Sequence, residues 1–400
     1  MYRFYYKIHN MITLDFASTT FLLAATCGIL CIIQLCYVFG IYNRIHQLFK
    51  KGNEPSATDL PPLSVIIVTK DSGSALNQNL PAILEQDYPK FEVIVINDKS
   101  AGEDEDILKL LSDRYENLYH TFIPKTAIPK TARYVSRKKL GIAMGIRASR
   151  YDWIVVTEPY CRPFSKDWLR SLAAQMTPST DIVLGYSNYL PQKGWFARRI
   201  ITDSFFHSLR YLGMALAGHP YMGVGCNLAY RKSLYEKHKG FADHLQLQRG
   251  EDDLFINAVA NKYNTRVASG PDSIVRMPVP PYKRIWFERK MNALVTGHYY
   301  RGMARISNAF ETWTCGLFHL ATIGALAMSI VEQQWIVTGI VVLLWLLRFI
   351  SVMMVFRRTA HDLNENLCCI FPLFDLLRPL WSLVRQTQYL LRKKRDFLRK

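Results

Sequence analysis

The residues of this chain best suited to chemistry are carboxylates at the ends of apolar runs. DWIVVTE delivers Glu158, and Tyr160 stands two positions later, where a second carboxylate could share a divalent cation. A phenol with a pKa near about 10 is no anionic ligand at neutral pH. SVIIVTK closes on Thr69, Lys70 and then Asp71, and FEVIVIND closes on Asn97-Asp98. In GEDDLF, Glu251, Asp252 and Asp253 are consecutive. Three adjacent carboxylates repel one another, which tends to raise at least one pKa. The structural alternative for GEDDLF is an acidic helix start favoured by the macrodipole, and for Asp98 a turn residue in NDKS. Arg133, Arg137, Lys138 and Lys139 form a dense cationic patch. It suits charge compensation of a diphosphate, or equally a solvated face or contact with lipid headgroups.

These residues need elements to position them. The runs 64–70, 91–98, 152–158 and 181–186 are β-branched and apolar, as buried strands are. Helix-like stretches separate them, RKKLGIAMGIRAS among them, so the pattern predicts an α/β fold with a mostly parallel sheet and right-handed crossovers. Ligands of such sheets bind beyond the carboxyl ends of the strands. Lys70-Asp71, Asn97-Asp98 and Glu158 then share one edge. No GxGxxG follows the first strand and no GxxxxGK[ST] occurs, which excludes a dinucleotide or P-loop site.

The chain has 400 residues, is 50% hydrophobic and carries a net charge of +18, enough for one large domain plus a membrane part. Phe16 to Tyr42 lacks charge over a length that crosses a bilayer. Trp313–Val331 and Trp335–Phe356 are expected to be two further spans, with Arg348 snorkelling from the last. Arg44, Lys50 and Lys51 follow the first span and Arg357-Arg358 the third, which places 43–312 in the cytoplasm by the positive-inside rule. The tail mixes apolar residues with Lys and Arg and is broken by Pro372 and Pro379; it reads as an interfacial helix on anionic lipid. The eight cysteines show no zinc spacing and read as packing residues in a reducing compartment. Much of the excess charge flanks the membrane, so nucleic acid is not expected as a partner.

The segment SVIIVTKDSGSALNQNLPAILEQDYPKFEVIVINDKS, with the later RKKLGIAMGIRASRYDWIVVTEPYCRPFSKDWL, GHPYMGVGCNLAYRKSL and GEDDLF, resembles the membrane-anchored family 2 glycosyltransferases of GT-A fold. The resemblance runs in order over about 64–297. It implies that Asp98 contacts the nucleotide base, with Thr69, Lys70 and Asp71 lining the same pocket and Lys138 and Lys139 beside it. It implies Mg²⁺ or Mn²⁺, weakly bound, at Glu158, because Asp-x-Asp is replaced by Glu158-Pro159-Tyr160. Asp252 aligns best with the catalytic base, and Glu251 and Asp253 are its rivals. The turn at Gly223-Val224-Gly225 would place the acceptor near Gly225 and Asn227. The helix-like Arg198–Gly223 is either an amphipathic core helix or one lying at the membrane surface.

WFERKMNALVTG keeps Arg289-Lys290 but lacks the Gln-x-x-Arg-Trp pattern of processive synthases, and three spans are few for threading a polymer. The expected domains are a tail 1–15, a span 16–42, a linker 43–62, a cytoplasmic glycosyltransferase-like domain 63–312, spans 313–331 and 335–356, and a basic interfacial tail 357–400. The expected activity is inverting transfer of one sugar from a nucleotide-sugar donor to a lipid-linked or other membrane-proximal glycan acceptor, at a bacterial inner membrane with membrane lipid as a further partner. The alternative is a catalytically weak or inactive relative that binds a nucleotide sugar or scaffolds other enzymes.

Overall fold

The computed structural model describes residues 19–51, 60–98, 102–124, 136–245, 247–268, 270–302, 304–367 and 371–391. The tail 1–15, Arg133 and residues 52–59 of the expected linker lie outside them. The chain opens with helix α1 (Thr19–Tyr37), a π turn (Val38–Tyr42) and α2 (Asn43–Lys51). Asn43–Lys51, expected as linker, is therefore helical and continues the first apolar helix.

The central unit begins with β1 (Leu63–Thr69), α3 (Gly73–Leu84), β2 (Phe91–Asn97), α4 (Glu103–Ser112) and β3 (Leu118–Phe122). Next come α5 (Arg137–Ala148), β4 (Trp153–Thr157), the short β5 (Arg162–Pro163) and α6 (Trp168–Ala173). The second half holds β6 (Ile182–Leu184), β7 (Ser187–Tyr189), α7 (Trp195–Leu216), β8 (Leu228–Arg231) and α8 (Lys232–Lys237). It closes with α9 (Asp253–Val259), β9 (Thr265–Val267), β10 (Val275–Met277) and α10 (Lys283–Gly297). Two long apolar helices, α11 (Ala304–Val331) and α12 (Trp335–Asp362), precede α13 (Phe371–Leu391).

The main sheet has the order β3-β2-β1-β4-β8-β6-β9, and β5-β10-β7 form a second small sheet. β1 pairs in parallel with both β2 and β4, while β8 runs antiparallel to β4 and β6. β1 and β2 are buried on both faces, which is why they read as unbroken apolar runs. The register sets Thr69 opposite Asn97 and Ile67 opposite Thr157. The polar residues that follow these strands therefore share one edge. Helix α5 lies close on the sheet: a Cβ at Gly145 would come 2.6 Å from Cγ2 of Ile66 and 2.7 Å from Cδ1 of Ile96.

Among the described residues, three helices are long and apolar enough to cross a membrane, Thr19–Lys51, Ile306–Val331 and Trp335–Asp362. Two membrane expectations need correction. Arg348 does not snorkel. It is buried, its guanidinium donates to Asp375 Oδ2 at 2.7 Å and to Gln34 Oε1 at 3.1 Å, and so it has an internal counter-charge. Nor do the prolines interrupt the tail. Pro372 lies in the first turn of α13, where its missing N–H costs nothing. Pro379 sits within the helix, held there by packing that includes Gly316, whose Cβ position is 3.1 Å from Pro379 Cβ.

Candidate active site

Two halves of a site meet at the sheet edge. In the first, Asp98 is buried, its backbone N–H donates to Thr69 O at 2.8 Å, and its carboxylate pairs with Arg137 and lies 3.9 Å from Lys70 Nζ. Lys70 and Asp71 are exposed, and Asp71 takes a left-handed conformation at φ 47°. Thr69 is turned away from solvent and donates to Asp104 Oδ2 at 2.8 Å. The other Asp104 oxygen accepts the Ser72 N–H at 2.9 Å and so fixes the loop after β1. Sequence reasoning missed Asp104; its signal was the acidic first turn Glu103–Asp106.

The second half is a cavity of about 430 Å³. Lys138, Glu158, Tyr160, Gly225, Glu251, Asp252 and Asp253 line it, whereas Asp98 does not. α7 adds Asp203 and His207, α10 adds Arg289 and Lys290, and α13 adds Arg378, Ser382 and Arg385. The wall supplied by α13 had no sequence signal beyond its late basic residues, because nothing local ties it to the catalytic domain. The contacts do: Lys290 pairs with Asp203, and Arg385 lies 3.8 Å from the same carboxylate. Burial, reinforced by Lys290, pushes the His207 imidazole down to about 3, so it is neutral. Arg198–Gly223 thus holds a largely buried core helix facing the cavity.

The three acids of GEDDLF occupy three environments. Asp253 is buried and saturated: its Oδ2 accepts from Thr296 Oγ1 at 2.6 Å and Tyr300 OH at 2.9 Å, and its Oδ1 accepts the Leu254 N–H. Glu251 Oε1 is 2.7 Å from Lys138 Nζ. Burial would raise Glu251, but Lys138 and Arg249 outweigh it and hold it below its ordinary value. Asp252 caps α9; its Oδ2 accepts the Gly225 N–H at 2.7 Å and its Oδ1 the Asp253 N–H at 2.8 Å. Burial, with Glu251 and Asp253 beside it, pushes its carboxyl up to about 7. Gly225 lets the two approach closely: a Cβ there would stand 3.2 Å from Asp252 Oδ2 and push one of them aside by a few tenths of an ångström.

Two expected site residues lie elsewhere. Lys139 is fully buried on the core side of α5, where its ammonium donates to the carbonyls of His244 and Leu247, the latter at 2.8 Å. Burial lowers it to about 8. It is a clamp on the 244–247 segment and not part of a diphosphate site. Asn227 is also buried: its amide donates to Tyr186 O and Ser273 O at 2.8 and 2.7 Å and accepts from Trp168 Nε1 at 3.0 Å. With those positions taken, it joins the two sheets and does not face an acceptor.

A divalent ion at this edge would find one carboxylate on the strand end. Tyr160 is a neutral phenol, its pKa raised by burial and by Glu158, and Arg289 covers its ring at 5.3 Å. Glu158 and Glu251, whose Oε2 is buried without a hydrogen-bond partner among the described residues, are the available oxygens. That set would fit Mg²⁺, which takes one or two carboxylates, only with the Lys138 ammonium displaced, because that group already contacts Glu158 and lies 2.7 Å from Glu251.

The class follows from these elements: a mostly parallel nucleotide-type sheet with acids gathered at its carboxyl edge. Residues 64–239 match the family described as Glycosyl transferase family 2. A mannosyltransferase from Pyrobaculum calidifontis, in complex with GDP-Man and Mn²⁺, aligns with a TM-score of 0.55 at 18% identity, over 86% of this chain and 99% of that one. S. aureus TarS 1-349 in complex with UDP-GlcNAc aligns with a TM-score of 0.40 at 14% identity, over 81% and 92%. The 64–239 match supports glycosyltransferase activity, the fold is GT-A-like, and among the described residues three helices of membrane-spanning length accompany it.

Proposed function

We propose that the protein transfers one sugar, with inversion, from a nucleotide-diphosphate donor to a lipid-linked or membrane-proximal acceptor on the cytoplasmic side. The observation that carries this reading is Asp252: a cavity-lining carboxyl at about 7, oriented by the Gly225 N–H. A general base works best when its pKa lies near the operating pH. Asp252 takes the proton of the acceptor hydroxyl as that oxygen bonds to the anomeric carbon. The bond to the diphosphate breaks on the opposite face, and the nucleoside diphosphate leaves with its electron pair. Asp98, with Lys70 and Asp71, is assigned to the base end of the donor, and Gly225 to the acceptor side. Glu158 is the residue that would hold a divalent ion if the Lys138 ammonium moved aside; such an ion would offset charge on the departing diphosphate. The long apolar helices and the α13 wall of the cavity support an acceptor presented from the membrane surface.

The test is release of free nucleotide from a panel of nucleotide sugars, with and without polyprenyl-phosphate and glycolipid acceptors. Asp252→Asn keeps shape and removes the proton acceptor, so kcat should fall by about 10²–10⁴ with donor affinity little changed. Near-normal turnover in Asp252→Asn, with collapse in Glu251→Gln, would move the base to Glu251. Retained turnover in both would remove the mechanism.

A further inference from the structure

The cavity contains a cation where a metal-dependent relative would need a metal. Lys138 projects from the first turn of α5; its ammonium contacts Glu158 and lies 2.7 Å from Glu251. Arg249 and the neutral phenol of Tyr160 are the other titratable groups acting on it. This aim is built into the fold. The neighbouring Lys139 is clamped to the carbonyls of His244 and Leu247, and Gly141 and Gly145 seat α5 against Val68, Ile66 and Ile96. The rotation of α5 about its axis is thereby fixed, and with it the direction in which Lys138 points.

The charges close without a metal. Glu158 and Glu251 carry two negative charges, and Lys138 with Arg249, which lines the same cavity, carries two positive ones. Tyr160 removes the second carboxylate of the strand-end pair, and Lys138, shared between Glu158 and Glu251, supplies a positive charge at the strand end. An ammonium has three N–H donors. Two meet Glu158 and Glu251, which leaves the third for a phosphate oxygen. A dication at Glu158 would have to displace this ammonium or sit against it. We propose that Lys138 is a tethered cation acting in place of the divalent ion, so that a nucleoside diphosphate binds this site without added metal.

The proposal rests on the donor-site reading above, and its test separates the two. Binding of GDP and of UDP to the full-length protein in detergent is measured by calorimetry in excess EDTA and in excess Mn²⁺. Mn²⁺ binding to the nucleotide-free protein is followed by electron paramagnetic resonance. The wild type should bind one nucleotide with affinities that differ by less than about threefold between the two buffers. Lys138→Met should lose about tenfold to a hundredfold in EDTA, the worth of a charge-assisted contact. It should recover in Mn²⁺ and bind Mn²⁺ more tightly than the wild type; that recovery also shows that the variant is folded. Lys138→Arg should keep its binding in EDTA. A wild type that binds nucleotide in Mn²⁺ and loses it in EDTA overturns the proposal alone, as does Lys138→Met binding like wild type in EDTA. Failure of both nucleotides to bind in either buffer overturns the donor site and the proposal together.

Discussion

At the scale of single residues, Asp252 is held in a balance that pH can tip. Two N–H groups favour its carboxylate, while burial and the flanking acids favour its proton, and the proton prevails up to about pH 7. The base must be ionised to act, so kcat/KM should rise through an acidic limb near 7 and level off above it. The same shift bears on stability. The folded state holds this proton above the carboxyl's ordinary value of 3.8, so between that pH and about 7 it binds more protons than the unfolded chain. Stability from this group is full below that window and falls as pH rises through it. Asp252→Asn removes the penalty. It should raise the melting temperature at pH 8 by the equivalent of about 2–4 kcal/mol and change little at pH 4. Equal effects at both pH values would mean that Asp252 is not titrating near 7. Among the three acids, consecutive letters could not reveal which was free, because the difference lies in partners distant in sequence: Thr296 and Tyr300 for Asp253, Lys138 for Glu251, Gly225 for Asp252.

At the scale of elements, α5 decides where Lys138 points, and its glycines decide where α5 sits. Gly145→Ala tests this. Alanine in a helix interior gains about 1 kcal/mol over glycine. The added Cβ would meet Ile66 and Ile96 at 2.6 and 2.7 Å, however, and overpacking costs about 1–3 kcal/mol. The clash should win, giving a lower melting temperature and weaker nucleotide binding in EDTA. A stabilised variant would show that α5 has room to shift. The same helix shows why the site was only partly legible in the sequence. β1, β2, β4 and β6 could be read because strands covered on both faces are unbroken apolar runs. β3, in which only Leu118 is buried, and the short β8 and β9 carry no such run, so the antiparallel insertion of β8 between β4 and β6 was not foreseen. Lys138 and Lys139 are equal as letters, yet successive helix positions face about 100° apart. One enters the cavity and the other the core. Asn227 sits in a turn that reads as ligand-facing, and only the two sheets that it joins reveal its bonds.

At the scale of the molecule, the apolar helices and the catalytic domain are joined by buried charge. Arg378 of α13 forks onto Glu311 of α11 at 2.6 and 2.7 Å, and Arg210 of α7 reaches the same carboxylate. Arg348 of α12 joins Asp375 of α13 and Gln34 of α1. Beyond α12, Arg276 of the small sheet pairs with Glu365, which also accepts from Tyr186 OH at 2.6 Å. These links position α13 so that Arg378, Ser382 and Arg385 wall the cavity. A sequence that places its acids and bases on different spans cannot announce which will meet, which is why Arg348 reads as a snorkelling residue until Asp375 is seen beside it. Breaking one partner of a buried pair strands the other and costs about 3–5 kcal/mol, whereas replacing a whole pair by apolar residues can be neutral. Glu311→Gln leaves two guanidiniums without their carboxylate, so it should lower the melting temperature in detergent by the equivalent of that cost. Arg348→Leu with Asp375→Leu should cost less than Arg348→Leu alone, because the single change takes from Asp375 its nearest cation, at 2.7 Å, and leaves Arg378 at 3.7 Å. If Glu311→Gln melts like the wild type while the apolar double variant collapses, packing rather than charge joins α13 to the spans, and the cavity wall would have to be ascribed to its leucines.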